Sequence, residues 1–240
     1  ALGAGAALRV ETTGIVDYPE VCRALAGDVA ANGEVRLGAS FVGARTEGGQ
    51  VIVETTSGEI GVEAMVACAG LQSDRVARAS GVDPGARIVP FRGEYFELKP
   101  ESRHLVNGLI YPVPDPRFPF LGVHLTRGVH GDVHAGPNAV LALAREGYTW
   151  SDVNVRDMAS AVGWPGMWRL GARNLVPGAK EVARSLSRKA FARSLARLIP
   201  SITVDDLVPA PAGVRAQALR RDGGLVDDFL IRSAPRQVHV

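Results

Sequence analysis

The stretch Ala64-Met65-Val66-Ala67-Cys68-Ala69-Gly70 is a continuous run of small and apolar residues, and it decides the fold class. A strand that is buried on both faces has this composition, whereas a strand with one wet face alternates polar and apolar residues. The run therefore predicts a parallel strand inside an α/β layer. Because Ala69 and Gly70 lack large side chains, the backbone at the strand end can approach a bulky ligand closely. Close packing of the strand on a helix explains the same composition, and the residues alone leave both interpretations open.

The residues before this run change from a helical period to a strand-like one. Tyr18 to Asn32 carries apolar residues at every fourth position, which predicts a helix with one buried face and Asp17 as its N-cap. The period then becomes two, and glycine-containing turns separate the segments. Four short strands are predicted: Glu34–Leu37, Phe41–Arg45, Val51–Thr55 and Ile60–Glu63. Together with the buried run, this order predicts an α/β nucleotide-binding layer that carries a β insertion.

The residues after the run divide into a β part, a helical part and a second extended part. Four further strands are predicted: Ile88–Leu98, Leu109–Val113, Phe120–Thr126 and Asp132–Ala135. Ser151 or Asp152 is placed to cap the first of the helices that follow. Among these helices, Ala179–Ile199 is predicted to be one long amphipathic helix with a basic polar face. From Pro209 the pattern indicates short extended pieces.

The overall composition excludes several classes of protein. Lys and Arg number 27 against 25 Asp and Glu, so the net charge of +2 argues against a nucleic-acid partner. Two cysteines, Cys22 and Cys68, cannot form a disulfide framework, so a reducing, cytoplasmic setting fits best. His124, His130 and His134 resemble a metal set. Glycines break their spacing and no carboxylate shares an obvious face with them, so we predict no metal.

Two basic features have a functional and a structural interpretation each. Arg215 follows the flexible Gly213, and the planar fork of an arginine suits a carboxylate ligand. The same arginine can instead pair with a neighbour such as Asp227 or Asp228. The basic face of Ala179–Ile199 suits an anionic membrane surface as well as it suits solvent.

Seven stretches of the sequence together resemble one enzyme family. They are Thr13–Tyr18, Cys68–Asp74, Gly81–Tyr95, Leu109–Pro116, Phe120–Arg127, Gly136–Val140 and Pro211–Gln217. The combination is similar to the L-2-hydroxyglutarate oxidases and dehydrogenases, within the FAD-dependent D-amino-acid-oxidase-like superfamily. The resemblance runs from Gly14 to Leu230. Phe91–Tyr95 and Phe120–Arg127 are typical of the subfamily, whereas the Ala-Gly turn indicates only the superfamily.

The resemblance implies an α/β fold, α+β overall, with a truncated Rossmann-like FAD-binding layer and a mostly antiparallel β substrate domain that carries helices. It assigns residues 17–81 to the FAD-binding domain, 82–205 together with 1–16 to the substrate domain, and 206–240 to the FAD-binding domain again. The family's glycine-rich start, its ribose-binding acid and its C-terminal closing segment find no match here. We therefore expect a fragment that is truncated at both ends and binds FAD weakly or not at all.

The resemblance also implies which residues contact the cofactor. The strand around Phe41-Val42 would meet the adenine side of FAD. The turn Cys68-Ala69-Gly70-Leu71 would lie beside the pyrophosphate and ribityl chain, and Gly213-Val214 would lie near the isoalloxazine.

The substrate and catalytic residues follow partly from the resemblance and partly from side-chain chemistry. Arg215 would hold the carboxylate next to the reacting hydroxyl, and Arg92 or Arg127 would meet the distal carboxylate. His124 is the candidate base because its pKa range suits proton transfer, and Tyr111 is the candidate orienting hydroxyl.

The predicted reaction is the FAD-dependent oxidation of L-2-hydroxyglutarate to 2-oxoglutarate, with electrons passed to a membrane quinone or to oxygen. The implied partner is a small 2-hydroxy dicarboxylate, and the implied location is cytoplasmic or peripheral on the inner face of the membrane. One alternative is a related flavin oxidase of amino acids or glycerol phosphate. The other is a cofactor-free fragment that acts only as a binding module.

Overall fold

The computed structural model describes residues 7–113 and 122–240, and the chain divides into two compact units. Unit 1 contains three segments: Ala1–Val29, Arg92–Leu141 and Asn174–Gly213. Unit 2 contains the other three: Ala30–Phe91, Ala142–Arg173 and Val214–Val240. The predicted ranges 17–81, 82–205 and 206–240 divide the chain by ligand role, and that division remains a prediction.

The helices and strands are numbered in chain order. The helices are α1 (Tyr18–Asn32), α2 (Ser73–Ala79), α3 (Val155–Val162), α4 (Pro165–Arg173), α5 (Leu175–Leu186) and α6 (Arg188–Leu195). The strands are β1 (Phe41–Glu47), β2 (Gln50–Thr55), β3 (Gly58–Val62), β4 (Met65–Ala67), β5 (Ala86–Leu98), β6 (Leu109–Ile110), β7 (His124–Arg127), β8 (Val133–Gly136), β9 (Val140–Leu141), β10 (Leu207–Arg220), β11 (Arg232–Ala234) and β12 (Gln237–His239).

Strands β1, β2 and β3 form an antiparallel meander in unit 2, as the period-two pattern predicts. Gly48 and Gly49 close the first turn with φ angles of 57° and 81°, a region that favours glycine. The strand predicted at Glu34–Leu37 is wrong, because these residues form no strand. In this segment Arg36 and Glu34 form an ion pair that is exposed to solvent.

Strand β4 is parallel, as predicted, but it is not buried on both faces. It pairs in parallel with β12, with Val66 opposite Val238. The strand is only three residues long, however, and Val66 is 68% exposed. In the described sheet, whose order is β11-β12-β4, strand β4 lies at an edge. A small apolar composition thus indicates the strand direction but does not guarantee that both faces are covered.

Helix α1 has the predicted bounds but lacks the predicted buried face. The backbone N–H of Glu20 donates to Asp17 Oδ1 over 3.4 Å, which fits the predicted N-cap. No residue of the helix is buried, and Leu25 is 59% exposed. A helical period shows that one face is apolar, whereas burial also needs an element that covers this face.

Among the described residues, the largest sheet has six strands, in the order β10-β5-β8-β7-β6 with β9 paired to β5. The core of unit 1 packs side chains of its strands and of α6 against one another. Phe191 of α6 is fully buried, and its ring lies 4.7 Å from that of Phe96 on β5. Leu125 on β7 and Val133 on β8 are also fully buried and belong to this core.

Three predictions for the later part of the chain are corrected. Asn154, not Ser151 or Asp152, caps α3, and its side chain accepts a hydrogen bond from the backbone of Asp157. The single helix predicted over Ala179–Ile199 is wrong, because the chain forms α5 and α6 with Ser187 as the N-cap of α6. Of the short extended pieces predicted from Pro209, the first is instead part of β10, which has 14 residues, whereas β11 and β12 are short strands of three residues each, as predicted.

Candidate functional site

Unit 2 contains a cavity of about 570 Å³ that lies beside the end of β4. Its walls include Cys68 and Gly70 after this strand, Asp74 of α2, and Gln217 of β10. His239 of β12 also lines it. The volume is in the range of about 300–1,000 Å³ that is typical of small-molecule sites.

In the turn that follows β4, Gly70 lines this cavity without a side chain. Gly70 has a φ of 50°, in the left-handed region, and a Cβ atom built on it would meet no atom within 4 Å. The backbone N–H of Gln72 donates to the carbonyl of Ala69 over 2.9 Å, which closes a short 3-10 turn over Gly70–Gln72. Helix α2 begins immediately afterwards, at Ser73. The space at Gly70 is therefore open to a ligand.

A buried arginine holds this turn from behind. The side chain of Arg145 is 2% exposed, and its guanidinium donates to the carbonyl of Leu71 over 2.6 Å. It also binds both carboxylate oxygens of Asp74, one of them over 3.0 Å. The backbone N–H of Arg145 donates to Asp157 Oδ2 over 2.8 Å. Sequence reasoning missed this cluster because its members lie 71 positions apart and follow no period.

The two aspartates of the cluster are held in the charged form. Burial by itself raises the pKa of Asp74, but the hydrogen bonds and charges of Arg145 and then Arg78 bring that pKa below its ordinary value. The pKa of Asp157 is lowered in the same sense. There the backbone of Arg145 and the side chain of Arg75 outweigh burial.

His239 supplies an unsatisfied polar atom at the cavity wall. The residue is 4% exposed, and its Nε2 lies 3.1 Å from Gln237 Oε1. Within the described residues, its buried Nδ1 has no hydrogen-bond partner. Burial lowers the pKa of this imidazole, which favours the neutral form. An unsatisfied nitrogen and an open backbone at Gly70 fit a large ligand that carries polar groups.

Unit 1 brings two of the predicted catalytic side chains together. The rings of Tyr111 and His124 stack with centroids 4.3 Å apart and planes inclined by 20°. The hydroxyl of Tyr111 lies 3.3 Å from Thr126 Oγ1, and Nδ1 of His124 lies 3.2 Å from the carbonyl oxygen of Gly122. Tyr111 is 47% exposed, so this pair is open to solvent.

The two arginines predicted to meet the distal carboxylate contact groups of the protein. Arg92 is fully buried and donates to Glu94 over 3.1 Å. Arg127 donates to the carbonyl of Val106 over 3.0 Å. Glu94 also accepts from the amide of Asn138 over 3.0 Å. The role of Arg92 and Arg127 as substrate ligands remains a prediction.

The remaining predicted cofactor and substrate residues lie in strands. Val42 of β1 is 56% exposed. Gly213 ends a segment of unit 1, and Val214 and the half-buried Arg215 begin a segment of unit 2, all within β10. Part of the predicted Phe120–Thr126 strand lies outside the described residues.

Neither a metal cluster nor a bilayer-crossing helix is found within residues 7–113 and 122–240. His134, one of the three histidines weighed as a metal set, pairs with Asp132 through Nε2 over 2.6 Å. His130 lies 3.5 Å from Asp17. The part of the chain that the structure describes contains no helix that combines the length and hydropathy needed to cross a membrane.

Comparisons with known proteins connect this chain to flavoenzymes. It is 46% identical over 237 residues to L-2-hydroxyglutarate dehydrogenase of Indibacter alkaliphilus, which is 98% of this chain and 59% of the relative. It is 43% identical to the Escherichia coli K12 enzyme of the same name, over 96% of this chain and 55% of that relative. The human mitochondrial enzyme of this name is 44% identical over 91% of the chain and 50% of its own length. The chain thus spans about half to three fifths of the relatives' length.

A solved structure confirms the fold class. L-α-glycerophosphate oxidase of Mycoplasma pneumoniae, with FAD bound, superimposes with a TM-score of 0.62 at 17% identity, over 92% of this chain and 48% of that one. The mixed α/β fold with antiparallel sheets is therefore that of the FAD-dependent oxidases. The model of the DAO family, whose description is FAD dependent oxidoreductase, matches residues 2–240. Because this match covers almost the whole sequence, the chain belongs to the DAO family of FAD-dependent oxidoreductases.

Proposed function

We propose that the protein catalyses the FAD-dependent oxidation of L-2-hydroxyglutarate to 2-oxoglutarate. The observation that carries the proposal is the 46% identity over 98% of the chain to a relative named L-2-hydroxyglutarate dehydrogenase. Relatives from other bacteria and from animals carry the same name at similar identity. The likeness to glycerophosphate oxidase is a likeness of fold at 17% identity, so it does not favour that substrate.

The cavity of unit 2 supports the cofactor part of the proposal. We assign Cys68, Ala69, Gly70 and Leu71 to the wall that holds FAD, with Val42, Gly213 and Val214 as further contacts. The open backbone at Gly70 and the unsatisfied Nδ1 of His239 fit this role. When bound, FAD supplies an acceptor for two electrons.

The substrate part of the proposal rests on side-chain chemistry. A secondary alcohol next to a carboxylate needs a group that holds the carboxylate and a base that takes the hydroxyl proton. We assign the first role to Arg215, because a planar guanidinium donates two parallel hydrogen bonds, and the distal carboxylate to Arg92 or Arg127.

We assign proton transfer to His124, oriented by Tyr111. A hydrogen bond from Nδ1–H of His124 to the carbonyl of Gly122 makes Nε2 the basic nitrogen. The stacked ring of Tyr111 fixes the plane of the imidazole.

Flavin bleaching tests the reaction directly. The purified protein is loaded with FAD and mixed without oxygen with L-2-hydroxyglutarate, its D enantiomer, amino acids and glycerol phosphate in turn. We expect loss of flavin absorbance with L-2-hydroxyglutarate alone. Bleaching by an amino acid or by glycerol phosphate would move the protein to the corresponding oxidases. A protein that binds FAD but is reduced by none of these compounds contradicts the proposal.

The role of Arg215 is tested by its replacement with lysine. Arg215→Lys keeps the positive charge but loses the bidentate fork, so we expect kcat/KM for L-2-hydroxyglutarate to fall by about one to two orders of magnitude. Arg220→Lys, on the exposed end of the same strand, serves as the matched control and should leave kcat/KM unchanged. Equal values for both variants would make Arg215 a structural residue.

We also propose a membrane quinone as the electron acceptor, with oxygen as the alternative, and a peripheral position at the inner face of the membrane. Arg188, Lys189 and Arg193 of α6 and the nearby Arg197 are exposed and form a basic surface that suits anionic lipids. Leu186, at the end of α5, is 72% exposed beside them. Co-sedimentation with anionic vesicles at low salt, reversed by high salt, is the expected result. Absence of sedimentation at low salt contradicts the membrane part alone.

A further inference from the structure

We propose that Arg145 is a positioning residue that sets the shape of the turn Gly70–Gln72, whose first residue lines the cavity. The inference rests on the proposed function only in that this cavity is taken to receive the cofactor. Arg145 lies behind the turn and does not appear among the residues that line the cavity. Its effect on the cavity is therefore transmitted through Leu71 and Asp74.

The guanidinium of Arg145 joins the middle of the turn to the helix that follows it. It donates to the carbonyl of Leu71 over 2.6 Å, and Leu71 is the central residue of the turn. It also binds both oxygens of the Asp74 carboxylate, in the first turn of α2. A planar group with this many donors fixes the direction of its acceptors as well as their distance. Leu71 and Asp74 are thus held in one geometry.

Arg145 is itself held by a chain of hydrogen bonds that returns to the turn. Its backbone N–H donates to Asp157 Oδ2 over 2.8 Å. The other oxygen of Asp157 accepts from Arg75 over 2.5 Å. Arg75 in turn donates to the side-chain oxygen of Gln72 over 3.1 Å, and Gln72 is the last residue of the turn. The circuit is closed within unit 2.

The turn needs support of this kind because its own sequence is permissive. Gly70 has a left-handed φ of 50°, and glycine has the largest choice of backbone conformations. No atom lies within 4 Å of the position of its Cβ, so packing does not restrict it from the cavity side. Ala69, which precedes the turn, offers no side-chain cap. The contacts with Arg145 and its partners therefore select one conformation among several.

Arg78 provides a matched control for a purely stabilising role. Like Arg145, it binds the carboxylate of Asp74, over 2.9 Å. Its second hydrogen bond goes to the carbonyl of Ala86 over 2.8 Å, outside the turn. If the cluster only stabilises unit 2, loss of either arginine should loosen the same structure. If Arg145 positions the turn, only its loss should loosen the turn selectively.

The test compares Arg145→Lys and Arg78→Lys in the full chain without ligand, by amide hydrogen exchange. The reporter is the amide of Gln72, which is bonded to Ala69, and the reference is the amide of Leu125 in unit 1. Because Arg145→Lys leaves the carbonyl of Leu71 without its guanidinium partner, we expect exchange at Gln72 to accelerate roughly tenfold or more in this variant. Exchange at Leu125 should not change, and Arg78→Lys should leave Gln72 within about twofold of the parent chain.

A second probe follows the wall of the cavity itself. Cys68 and Cys22 are both exposed thiols, so the Cys22→Ser background isolates the reactivity of Cys68. We expect Arg145→Lys to change the rate at which Cys68 reacts with a thiol reagent, whereas Arg78→Lys should not. Equal exchange at Gln72 and equal Cys68 reactivity in the two variants would overturn the proposal.

Asp157→Asn keeps the proposal testable if Arg145→Lys does not fold. This variant retains the guanidinium of Arg145 and weakens the hydrogen bond that anchors its backbone. Faster exchange at Gln72 supports the positioning role, and unchanged exchange contradicts it. Since no ligand is present, a failure here is distinguishable from a failure of the proposed oxidation, which the bleaching experiment reports.

Discussion

Unit 2 contains two clusters of arginine and carboxylate side chains, one around Arg45 and one around Arg145, and the two differ in burial. Arg45 in the meander lies 3.0 Å from Glu59 and 3.2 Å from Glu47, with its side chain 42% exposed. Arg145 contacts Asp74 with both side chains almost completely buried. Arg45 forms three ion pairs, whereas the guanidinium of Arg145 forms one, with Asp74. Water can replace the partners of Arg45, but the carboxylate of Asp74 is buried. The comparison teaches that burial, rather than the number of pairs, sets what a cluster contributes.

The strongest way to break this comparison is to remove the buried arginine. Arg145→Leu leaves the carboxylate of Asp74 buried without its main partner, so we expect the free energy of unfolding to fall by about 3–5 kcal/mol. Urea unfolding followed by circular dichroism measures the change. The control is Arg78→Leu, which removes a more exposed partner of the same carboxylate and should cost less. A loss below about 1 kcal/mol for Arg145→Leu, the magnitude of an exposed pair, would contradict the ranking.

Low pH should lower the free energy of unfolding mainly through the buried cluster and less through the exposed one. The pKa values of Asp74 and Asp157 are lowered in the folded chain, so their contribution to stability is complete above the ordinary carboxyl pKa. That contribution is lost as the pH falls through the lowered folded pKa. We expect the urea concentration at the midpoint of unfolding to decrease as the pH falls below about 4. Asp74→Asn should weaken this pH dependence.

The matched control for acid is Glu59→Gln in the exposed cluster. The pKa of Glu59 is also lowered, by the hydrogen bond and charge of Arg45, but its side chain is 58% exposed to solvent. We therefore expect Glu59→Gln to change the pH dependence of the urea midpoint much less than Asp74→Asn does. If Glu59→Gln changed this pH dependence more than Asp74→Asn did, burial would not be what sets the contribution of a carboxylate.

The smallest expected effect is that of Arg45→Gln. Exposed ion pairs are screened by salt and compete with hydration, so the melting temperature should change little at low salt and not at all at high salt. Thermal unfolding at two salt concentrations measures this. A marked loss of melting temperature that persists at high salt would show that Arg45 does more than pair with Glu47, Glu54 and Glu59.

Much of the fold follows from local sequence patterns, and the exceptions have a common cause. The bounds of α1 and the three strands of the meander agree with their predicted positions because period and turn residues are local properties. The predictions that were wrong concern coverage or continuity. Examples are the exposed Val66 of β4 and the break at Ser187 between α5 and α6. Coverage depends on elements that are distant in sequence.

In the candidate site, too, some features were predicted from local sequence and others depend on segments that are distant in sequence. The small residues Ala69 and Gly70 pointed to a close approach between backbone and ligand, and the structure places Gly70 at a cavity. The pairing of Arg145 with Asp74 could not be predicted, since no period or motif links the two positions. Tyr111 and His124 were named for their chemistry, and only the structure shows that their rings stack.

Residue types at short spacing were enough to predict the strand and helix periods and the turn after β4. The flavoenzyme family was indicated by the resemblance of seven stretches to its members. Which side chains are buried and which charges meet follows from the three-dimensional fold. The burial of Arg145 and the exposure of Arg45 are the clearest case. The energy of a charge depends on the medium around it, and that medium is built from segments far apart in the chain.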